Sequence, residues 1–370
     1  MPNPDVLFSP YRLNALDLPN RVVMAPMSRY VSPGGVPTAE VAAYYRRRAE
    51  NGVGLIITEG TGIGRPAALN DPNMPQFHGK AALAGWKQVV DEVHAAGGRI
   101  APQLTHVGTK PSNTATDWSP GAPYESPSGL SMSGEQVGQP MSEADIADVI
   151  DAFARAAADA ERLGFDGVEV LGNHNYLINQ FFWDMLNLRT DRYGGATLVE
   201  RSRFAVEVLK AIRSVVSPGF PVILRLSQWK PKDVNARIAQ TPQALEQWLG
   251  VLAEAGADAF HFSQMKFWEP AFPEVNEDLS LAAWAKKLTG ATAITVGSVG
   301  LSGDVNGSFA GESARSTPLD GLLARLERDE FDLVAVGRAL LQDPAWLAKV
   351  RHGRVDQIAD FTPAAFATLS

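Results

Sequence analysis

Two side chains that can donate protons or hydrogen bonds stand together in the segment DGVEVLGNHNYL, residues 166–177. His174 and Tyr176 follow an apolar run, Gly167–Leu171, that has the character of a buried strand. Gly172, Asn173, His174 and Asn175 favour a loop after this run. A phenol is protonated at pH 7 and can act as a general acid, and an imidazole can hydrogen-bond a carbonyl oxygen. We therefore expect a proton-donating site where a buried strand ends.

Two further polar side chains interrupt apolar runs. Gln103 lies in the strand-like segment Arg99–Leu104, and Arg225 lies in the segment Pro221–Leu226. Either one alone is readily explained as a buried group that has its hydrogen-bond partners. Two of them near a phosphate site instead favour contacts to a flat heterocycle with carbonyl and ring-nitrogen acceptors. In that case Arg225 could compensate negative charge on the ring.

A phosphate site is indicated by glycines that follow the last two strand-like runs. Gly297–Ser298 follows Ala293–Val296, and Gly337–Arg338 follows Leu333–Val336. Glycine lets backbone N–H groups approach a phosphate, and a helix starting near Ala339 would point its positive end there. The Arg338 guanidinium can fork onto phosphate oxygens. The alternative is that both glycines only permit tight turns.

The elements that would position these residues alternate regularly along the chain. Eight apolar runs are each followed by a helical pattern: Arg21–Ala25, Gly54–Thr58, Arg99–Leu104, Gly167–Leu171, Pro221–Leu226, Ala259–Phe262, Ala293–Val296 and Leu333–Val336. This α/β alternation predicts a closed (β/α)8 barrel, in preference to a doubly wound sheet. We expect a single domain over residues 1–370, with a long excursion after the third strand (105–140). An insertion (304–318) should follow the seventh strand, and the tail 354–370 is left unplaced.

The composition excludes several classes of function. The chain has 370 residues, a net charge of −8 and no cysteine, so disulfides, thiolate catalysis and cysteine-bound metals are excluded. The charge gives no basic field for nucleic acid or an anionic membrane. No signal peptide or membrane span is recognisable, and no residues have metal-ligand spacing. We expect a cytoplasmic protein with a small-molecule substrate and no metal, and leave a homo-oligomer open.

Motifs along the chain resemble the old yellow enzyme family of FMN-dependent NADH:flavin oxidoreductases and ene-reductases. They are NRVVMAPMSRY, LIITEG, QLTHVG, NYLINQFFWDMLNLRTDRYGG, VILRLS, ITVGSVG and DLVAVGRALLQDP, and they cover about residues 5–350. The resemblance implies a (β/α)8 barrel that binds FMN non-covalently at its C-terminal mouth. It also implies reduction by NADH or NADPH, without distinguishing the two coenzymes.

The resemblance assigns roles residue by residue. The flavin would be lined by Ala25, Pro26, Met27 and Ser28, with Ser28 near its O4 and N5 edge. The ring would be bound by Gly60, Gln103 and Arg225, and the phosphate by Gly297, Ser298, Gly337 and Arg338. Tyr30 would face the substrate. The implied reaction is hydride transfer from the coenzyme to the flavin and onward to the β-carbon of an activated alkene, followed by protonation of the α-carbon by Tyr176.

One departure from the family pattern concerns the substrate clamp. The family places a hydrogen-bonding pair at the positions of Leu171 and His174, and leucine cannot donate. Asn175 stands where glycine is usual, and Thr109 where arginine is frequent. Amine dehydrogenases or demethylases and dienoyl reductases of the same family remain alternatives. Outside this class, Lys266 would suit a Schiff-base aldolase, and a flavin-binding module without turnover is the last alternative.

Overall fold

Eight parallel strands form a closed barrel in the computed structural model, which describes residues 3–112, 117–230 and 233–370. The strands of the chain are β1 (Tyr11–Leu13), β2 (Leu16–Leu18), β3 (Val22–Met24), β4 (Leu55–Gly62), β5 (Ile100–Thr105), β6 (Val168–Leu171), β7 (Val222–Leu226), β8 (Ala259–Ser263), β9 (Thr292–Val296) and β10 (Leu333–Val336). Neighbours in the barrel follow chain order from β3 to β10, and β10 closes on β3. The predicted (β/α)8 barrel is confirmed.

The strands β1 and β2 form an antiparallel hairpin outside the barrel, which the sequence analysis did not predict. Leu13 and Leu18 of the hairpin are buried against the first residues of barrel strands, including Leu55 and Leu333. The hairpin therefore closes the N-terminal end of the barrel with apolar side chains, at a gain of roughly 2 kcal/mol for each buried leucine. Only the C-terminal end is left for a binding site.

Helices follow the barrel strands and cover their outer face. They are α1 (Ala39–Glu50), α2 (Lys80–Ala95), α3 (Glu143–Leu163), α4 (Leu177–Phe182), α5 (Leu198–Arg201), α6 (Arg203–Val215), α7 (Pro242–Glu254), α8 (Leu281–Thr289), α9 (Val305–Phe309), α10 (Asp320–Glu327), α11 (Arg338–Gln342) and α12 (Trp346–Arg351). The Ser142 hydroxyl accepts from the Asp145 N–H in a capping box that starts α3. None of the helices in the described part of the chain has the length and apolar character that a bilayer-spanning helix needs.

The excursion and the insertion are both present. Between β5 and α3 the described residues form no helix or strand, and a hydrogen bond of 2.6 Å from His106 Nε2 to Glu125 Oε2 fixes this excursion to the barrel. The insertion after β9 contains α9, and its Ala314 pairs with Phe361 of the tail. Both connections therefore lie against the barrel through specific side-chain and backbone contacts.

The C-terminal tail packs against its own barrel. Phe361 is fully buried, and the carbonyl groups of Phe366 and Thr368 accept hydrogen bonds from Arg29 Nη2 at 3.0 and 2.5 Å. Arg48, which is also fully buried, donates to the carbonyl group of Leu340 at 3.0 Å. The tail is thereby joined to the loop after β3, and that loop borders the C-terminal mouth.

Candidate active site

The register of the barrel brings polar side chains of neighbouring strands together. Gln103 on β5 pairs with Glu169 on β6, and Arg225 on β7 pairs with His261 on β8. Gln103 Nε2 donates to Glu169 Oε1 at 2.7 Å, and the other carboxylate oxygen lies 2.6 Å from His261 Nδ1. Burial lowers the pKa of His261 although Glu169 opposes this shift, so the ring is neutral at pH 7 with its proton on Nδ1. The three side chains form one buried hydrogen-bonded chain, which the sequence analysis missed.

Arg225 is a buried cation without a partner of its own. Its side chain is 8% exposed, and no described residue accepts a hydrogen bond from the guanidinium. Burial lowers its pKa, and Glu169 only partly offsets this loss of hydration. An unpaired buried charge is costly and persists where a ligand compensates it. Arg225 therefore fits a ligand that presents acceptor atoms or negative charge in the barrel mouth.

The loop after β6 presents His174 and Tyr176 to the mouth. His174 and Asn175 adopt left-handed backbone conformations, with φ of 54° and 61°. The turn is stabilised because Asn175 N donates to Asn179 Oδ1 at 2.9 Å and the Asn175 carbonyl accepts from Gln180 Nε2 at 2.7 Å. Glycine would adopt this backbone with less strain, so the asparagine makes the turn depend on these helix contacts.

The His174 imidazole is neutral in this setting. Its Nε2 lies 2.9 Å from Ser263 Oγ, and its ring packs against Trp229 at 4.6 Å between centroids. Burial, together with the charge of Arg225, holds its pKa well below the ordinary value. A neutral imidazole can hydrogen-bond a substrate oxygen without bringing a charge into the mouth.

The Tyr176 phenol is partly exposed at the mouth, and no described residue hydrogen-bonds it. Burial raises its pKa above the ordinary value, so the phenol keeps its proton at neutral pH. Tyr30 lies close enough to add to this shift, and Lys110 Nζ stands 5.3 Å from the centroid of the Tyr176 ring. The arrangement supplies a protonated acid beside a neutral imidazole.

A buried carboxylate positions the loop after β3. Glu59 Oε2 accepts hydrogen bonds from the N–H groups of Arg29 at 2.7 Å and Tyr30 at 3.1 Å. Tyr30 has φ of 53°, and its phenol is hydrogen-bonded to Ser28. Burial raises the pKa of Glu59 to about 7 in spite of these hydrogen bonds. Glu59 therefore sets where Tyr30 stands at the mouth.

The raised pKa of Glu59 predicts a pH-dependent stability. Its ordinary pKa of 4.5 becomes about 7 in the folded protein, so the folded state binds more protons than the unfolded state between these values. This contribution is fully present below about pH 4.5 and is lost as the pH rises through 7, a difference of roughly 3 kcal/mol. We expect the free energy of unfolding to fall more steeply between about pH 5 and 8 in the natural protein than in Glu59→Gln, with FMN held saturating. The free energy of unfolding is measured by denaturant titration at each pH. An equal change with pH in the two proteins would contradict the raised pKa of Glu59.

The two glycines of the predicted phosphate site differ in their surroundings. Gly297 has φ of 136°, and a Cβ there would stand 2.5 Å from the Gln264 carbonyl oxygen, so the turn itself requires glycine. A Cβ on Gly337 would meet only Met27 Sδ at 3.5 Å and Ala25 Cβ at 3.7 Å. Neighbouring atoms therefore leave Gly337 room for a side chain, and a ligand close to the backbone would use that room.

The Arg338 side chain organises the loop after β9. Its terminal nitrogens donate to Ser308 Oγ at 2.6 Å, Gly303 O at 2.7 Å and Asp304 O at 2.8 Å, with a longer contact to Ser298 Oγ at 3.4 Å. All these acceptors are uncharged, and the Asp304 carboxylate only partly offsets the effect of burial on the pKa of Arg338. The predicted fork onto phosphate oxygens stays a prediction, and in this arrangement Arg338 would act on a phosphate through its charge and through the loop.

The predicted flavin contacts meet at one end of the barrel. Gly60 lies beside Gln103, because a Cβ on the glycine would be 3.3 Å from Gln103 Oε1. The unpaired Arg225 guanidinium, the Gln103 amide and the open backbone at Gly337 suit a flat anionic nucleotide. The residues present therefore fit FMN.

The other candidates of the sequence analysis lie apart from this group or are already paired. Leu171 is buried and pairs in register with Arg225, so an apolar side chain on β6 lies next to this cation on β7. Lys266 is partly exposed and forms an ion pair with Glu269 at 3.4 Å. His106 accepts from Gly108 N at 3.0 Å and is held by Glu125. Within the described ranges, no three His, Asp or Glu side chains are grouped to hold a metal ion.

Comparison with known proteins decides the family. The model of the NADH:flavin oxidoreductase / NADH oxidase family matches residues 6–357. The chain belongs to this family. The prediction of an FMN-dependent oxidoreductase that uses NADH or NADPH, of the old yellow enzyme type, is thereby confirmed for the family.

Individual members of the oxidoreductase family resemble the chain over most of its length. A metal reductase of Desulforamulus reducens is 32% identical over 95% of this chain and 50% of its own length. The 12-oxophytodienoate reductase 7 of Oryza sativa subsp. japonica is 31% identical over 93% of this chain and 87% of its own. The structure of morphinone reductase in complex with tetrahydroNAD superposes with a TM-score of 0.78, at 29% identity, over 97% and 93% of the two chains. The chain thus spans only half the length of the first of these relatives.

Proposed function

We propose that the protein reduces the carbon–carbon double bond of an activated alkene, such as an α,β-unsaturated carbonyl compound, with NADH or NADPH as the reductant. The observation that carries this proposal is the protonated, unpaired phenol of Tyr176 beside the neutral imidazole of His174 at the barrel mouth. Proton delivery to carbon needs an acid that stays protonated at neutral pH but faces the reacting atom. Tyr176 keeps its proton at neutral pH and is partly exposed, which supports its assignment as this acid.

Each residue of the site would have its own role in the proposed reaction. FMN, when bound, supplies the hydride relay between the coenzyme and the substrate. Arg225 and Gln103 would hold the ring through its acceptor atoms, and the segments Gly297–Ser298 and Gly337–Arg338 would hold the phosphate. His174 would bind the substrate carbonyl oxygen, and Tyr176 would deliver the proton to the α-carbon. Tyr30, fixed by Glu59, would border the alkene near Tyr176.

Oxidation or demethylation of N-methylated amines is the main alternative within the family, and the charge of the site opposes it. Arg225 and Lys110 both bring positive charge to the mouth. A protonated amine would be repelled there, whereas an electron-poor carbonyl compound would not. Leucine at position 171 cannot donate a hydrogen bond to a carbonyl oxygen. It also brings no negative charge, so the mouth would still favour a carbonyl compound over a protonated amine.

The test of the proposed function is a screen of oxidants. Enzyme loaded with FMN is reduced by NADH or NADPH without oxygen and then mixed with enones or nitro compounds in separate reactions. The oxidised enzyme is mixed without oxygen with N-methylated amines. We expect reoxidation of the flavin by enones and formation of the saturated ketone. Reoxidation by nitro compounds alone, or reduction of the oxidised flavin by the amines, would contradict alkene reduction.

Introducing a hydrogen-bond donor at position 171 tests whether the missing half of the family's hydrogen-bonding pair limits the reaction. In Leu171→His we expect turnover of cyclic enones to rise about 10-fold or more, because a second hydrogen bond to the developing oxyanion is typically worth two orders of magnitude or more. The measurement is kcat/KM with cyclohexenone. Leu171→Met is the matched control because it changes shape without adding a donor. No gain in the histidine variant would show that another group already serves as the second donor.

The remaining expectations stay predictions. They are a small-molecule substrate, no binding of nucleic acid or membrane, a cytoplasmic location and no metal ion, while homo-oligomer formation stays open.

A further inference from the structure

Lys110 is a cation in the barrel mouth that the proposed reaction does not use. It follows β5 and is partly buried, and its ammonium group stands 5.3 Å from the centroid of the Tyr176 ring. Its charge also reaches His174, whose pKa it helps to lower. The ammonium group is therefore next to both residues that would contact the substrate.

No acidic residue compensates Lys110 within the described part of the chain. Burial alone lowers its pKa, and neither a carboxylate nor a hydrogen-bond acceptor opposes that shift. Buried carboxylates in this region have other partners. Glu59 accepts two backbone N–H groups, and Glu169 is bonded to Gln103 and His261. Asp71 accepts from Asn73 N and Ser112 Oγ. The ammonium thus has lost hydration without gaining a counter-charge, which an anionic ligand would correct.

Arg225 and Lys110 would serve different ligands. Arg225 lies on β7 within the barrel, in register with His261 and within reach of the Glu169 charge, in the set of residues that fits the flavin. Lys110 lies over the ring of Tyr176, the residue that would deliver the proton. With FMN bound, Arg225 would have a ligand to compensate its charge, and Lys110 would still lack a counter-charge among the described residues.

We propose that Lys110 is a specificity-determining residue that binds a carboxylate group of the substrate, attached on the α-carbon side of its activated double bond. This inference rests on the proposed function, because Tyr176 protonates the α-carbon and Lys110 stands beside Tyr176. The ion pair takes over substrate anchoring that Leu171 cannot provide, while His174 holds the carbonyl oxygen. The substrate class is thereby narrowed to anionic enones.

The experiment compares an acid with its ester. The probes are 2-(carboxymethyl)cyclohex-2-enone and its methyl ester, and the enzymes are the natural protein, Lys110→Met and Lys110→Arg, all loaded with FMN. Dissociation constants come from the change in the oxidised flavin spectrum, and rate constants come from anaerobic reoxidation. We expect Lys110→Met to weaken binding of the acid about 10- to 100-fold more than binding of the ester. The loss of one hydrogen bond to a charged group typically raises a dissociation constant by about this factor. Lys110→Arg should recover most of the loss.

The outcomes separate this inference from the proposed function. Equal weakening for acid and ester, or no weakening for either, would overturn the role of Lys110 while enone reduction stands. A selective rise in KM for NADH or NADPH, with acid and ester unaffected, would also overturn it, because Lys110 would then bind the coenzyme phosphates. Failure of the natural protein to reduce either compound would instead contradict the proposed function.

Discussion

Replacing Tyr176 with phenylalanine is expected to slow reoxidation of the reduced enzyme by an enone about 10²- to 10⁴-fold, the usual contribution of a positioned general acid. Reduction of the enzyme by NADH or NADPH needs no proton donor at this position and should keep its rate. The phenol makes no hydrogen bond to a described residue, so its removal leaves no buried partner unsatisfied. The two half-reactions are measured separately by stopped-flow absorbance of the flavin without oxygen.

The matched control for Tyr176 is Tyr30→Phe. The Tyr30 phenol also lies at the mouth but is hydrogen-bonded to Ser28. Its loss should affect substrate binding more than the rate constant of reoxidation. An equal slowing of both half-reactions in Tyr176→Phe would contradict its role as the acid and indicate a general loss of site structure.

Replacing Arg225 with methionine is expected to separate FMN binding from stability. FMN affinity should fall about 10- to 100-fold, because a charged hydrogen-bond donor to the ring is lost. The FMN-free protein should become more stable, by about 1–4 kcal/mol, because the change removes a buried cation that has no partner of its own. FMN titration and chemical denaturation of the FMN-free protein give the two quantities.

The matched control for Arg225 is Gln228→Met, which lies beyond the end of the same strand. Gln228 is bonded to both N and O of Ala239, so its loss should destabilise the protein without a direct effect on the flavin. If Arg225→Met lowered stability and left FMN affinity unchanged, the guanidinium would be a structural group, and its place in the flavin site would be wrong.

Most of the fold could be predicted from the sequence because each barrel strand is a short apolar run between loop signals. The last strand, Leu333–Val336, has the predicted bounds, and the others differ at their ends. The hairpin Tyr11–Leu18 could not be predicted, because strands of three residues are too short to show an alternating pattern. A run of three arginines in α1 would favour an exposed face, yet Arg48 is fully buried and donates to the carbonyl group of Ser370 in the tail.

The site was predictable where a residue type carries its own chemistry, as with Tyr176, His174 and Arg225. The site was not predictable where hydrogen-bond partners and charge compensation depend on residues that are distant in the sequence. The chain Gln103–Glu169–His261 depends on the register of three strands, which local sequence does not reveal. The uncompensated charge of Lys110 depends on how the other carboxylates are paired, so it is visible only in three dimensions.

In the proposed reaction, Tyr176 would supply the proton to the α-carbon of an alkene, and FMN, when bound, would supply the hydride. The most direct measurement is one anaerobic cycle in D2O, in which enzyme reduced by an unlabelled nicotinamide coenzyme is reoxidised by cyclohexenone and the product is analysed by NMR. We predict a saturated ketone that carries deuterium at the α-carbon and that is formed much more slowly by Tyr176→Phe. Recovery of unchanged cyclohexenone with the flavin still reduced, or an equal product rate in Tyr176→Phe, would contradict the account.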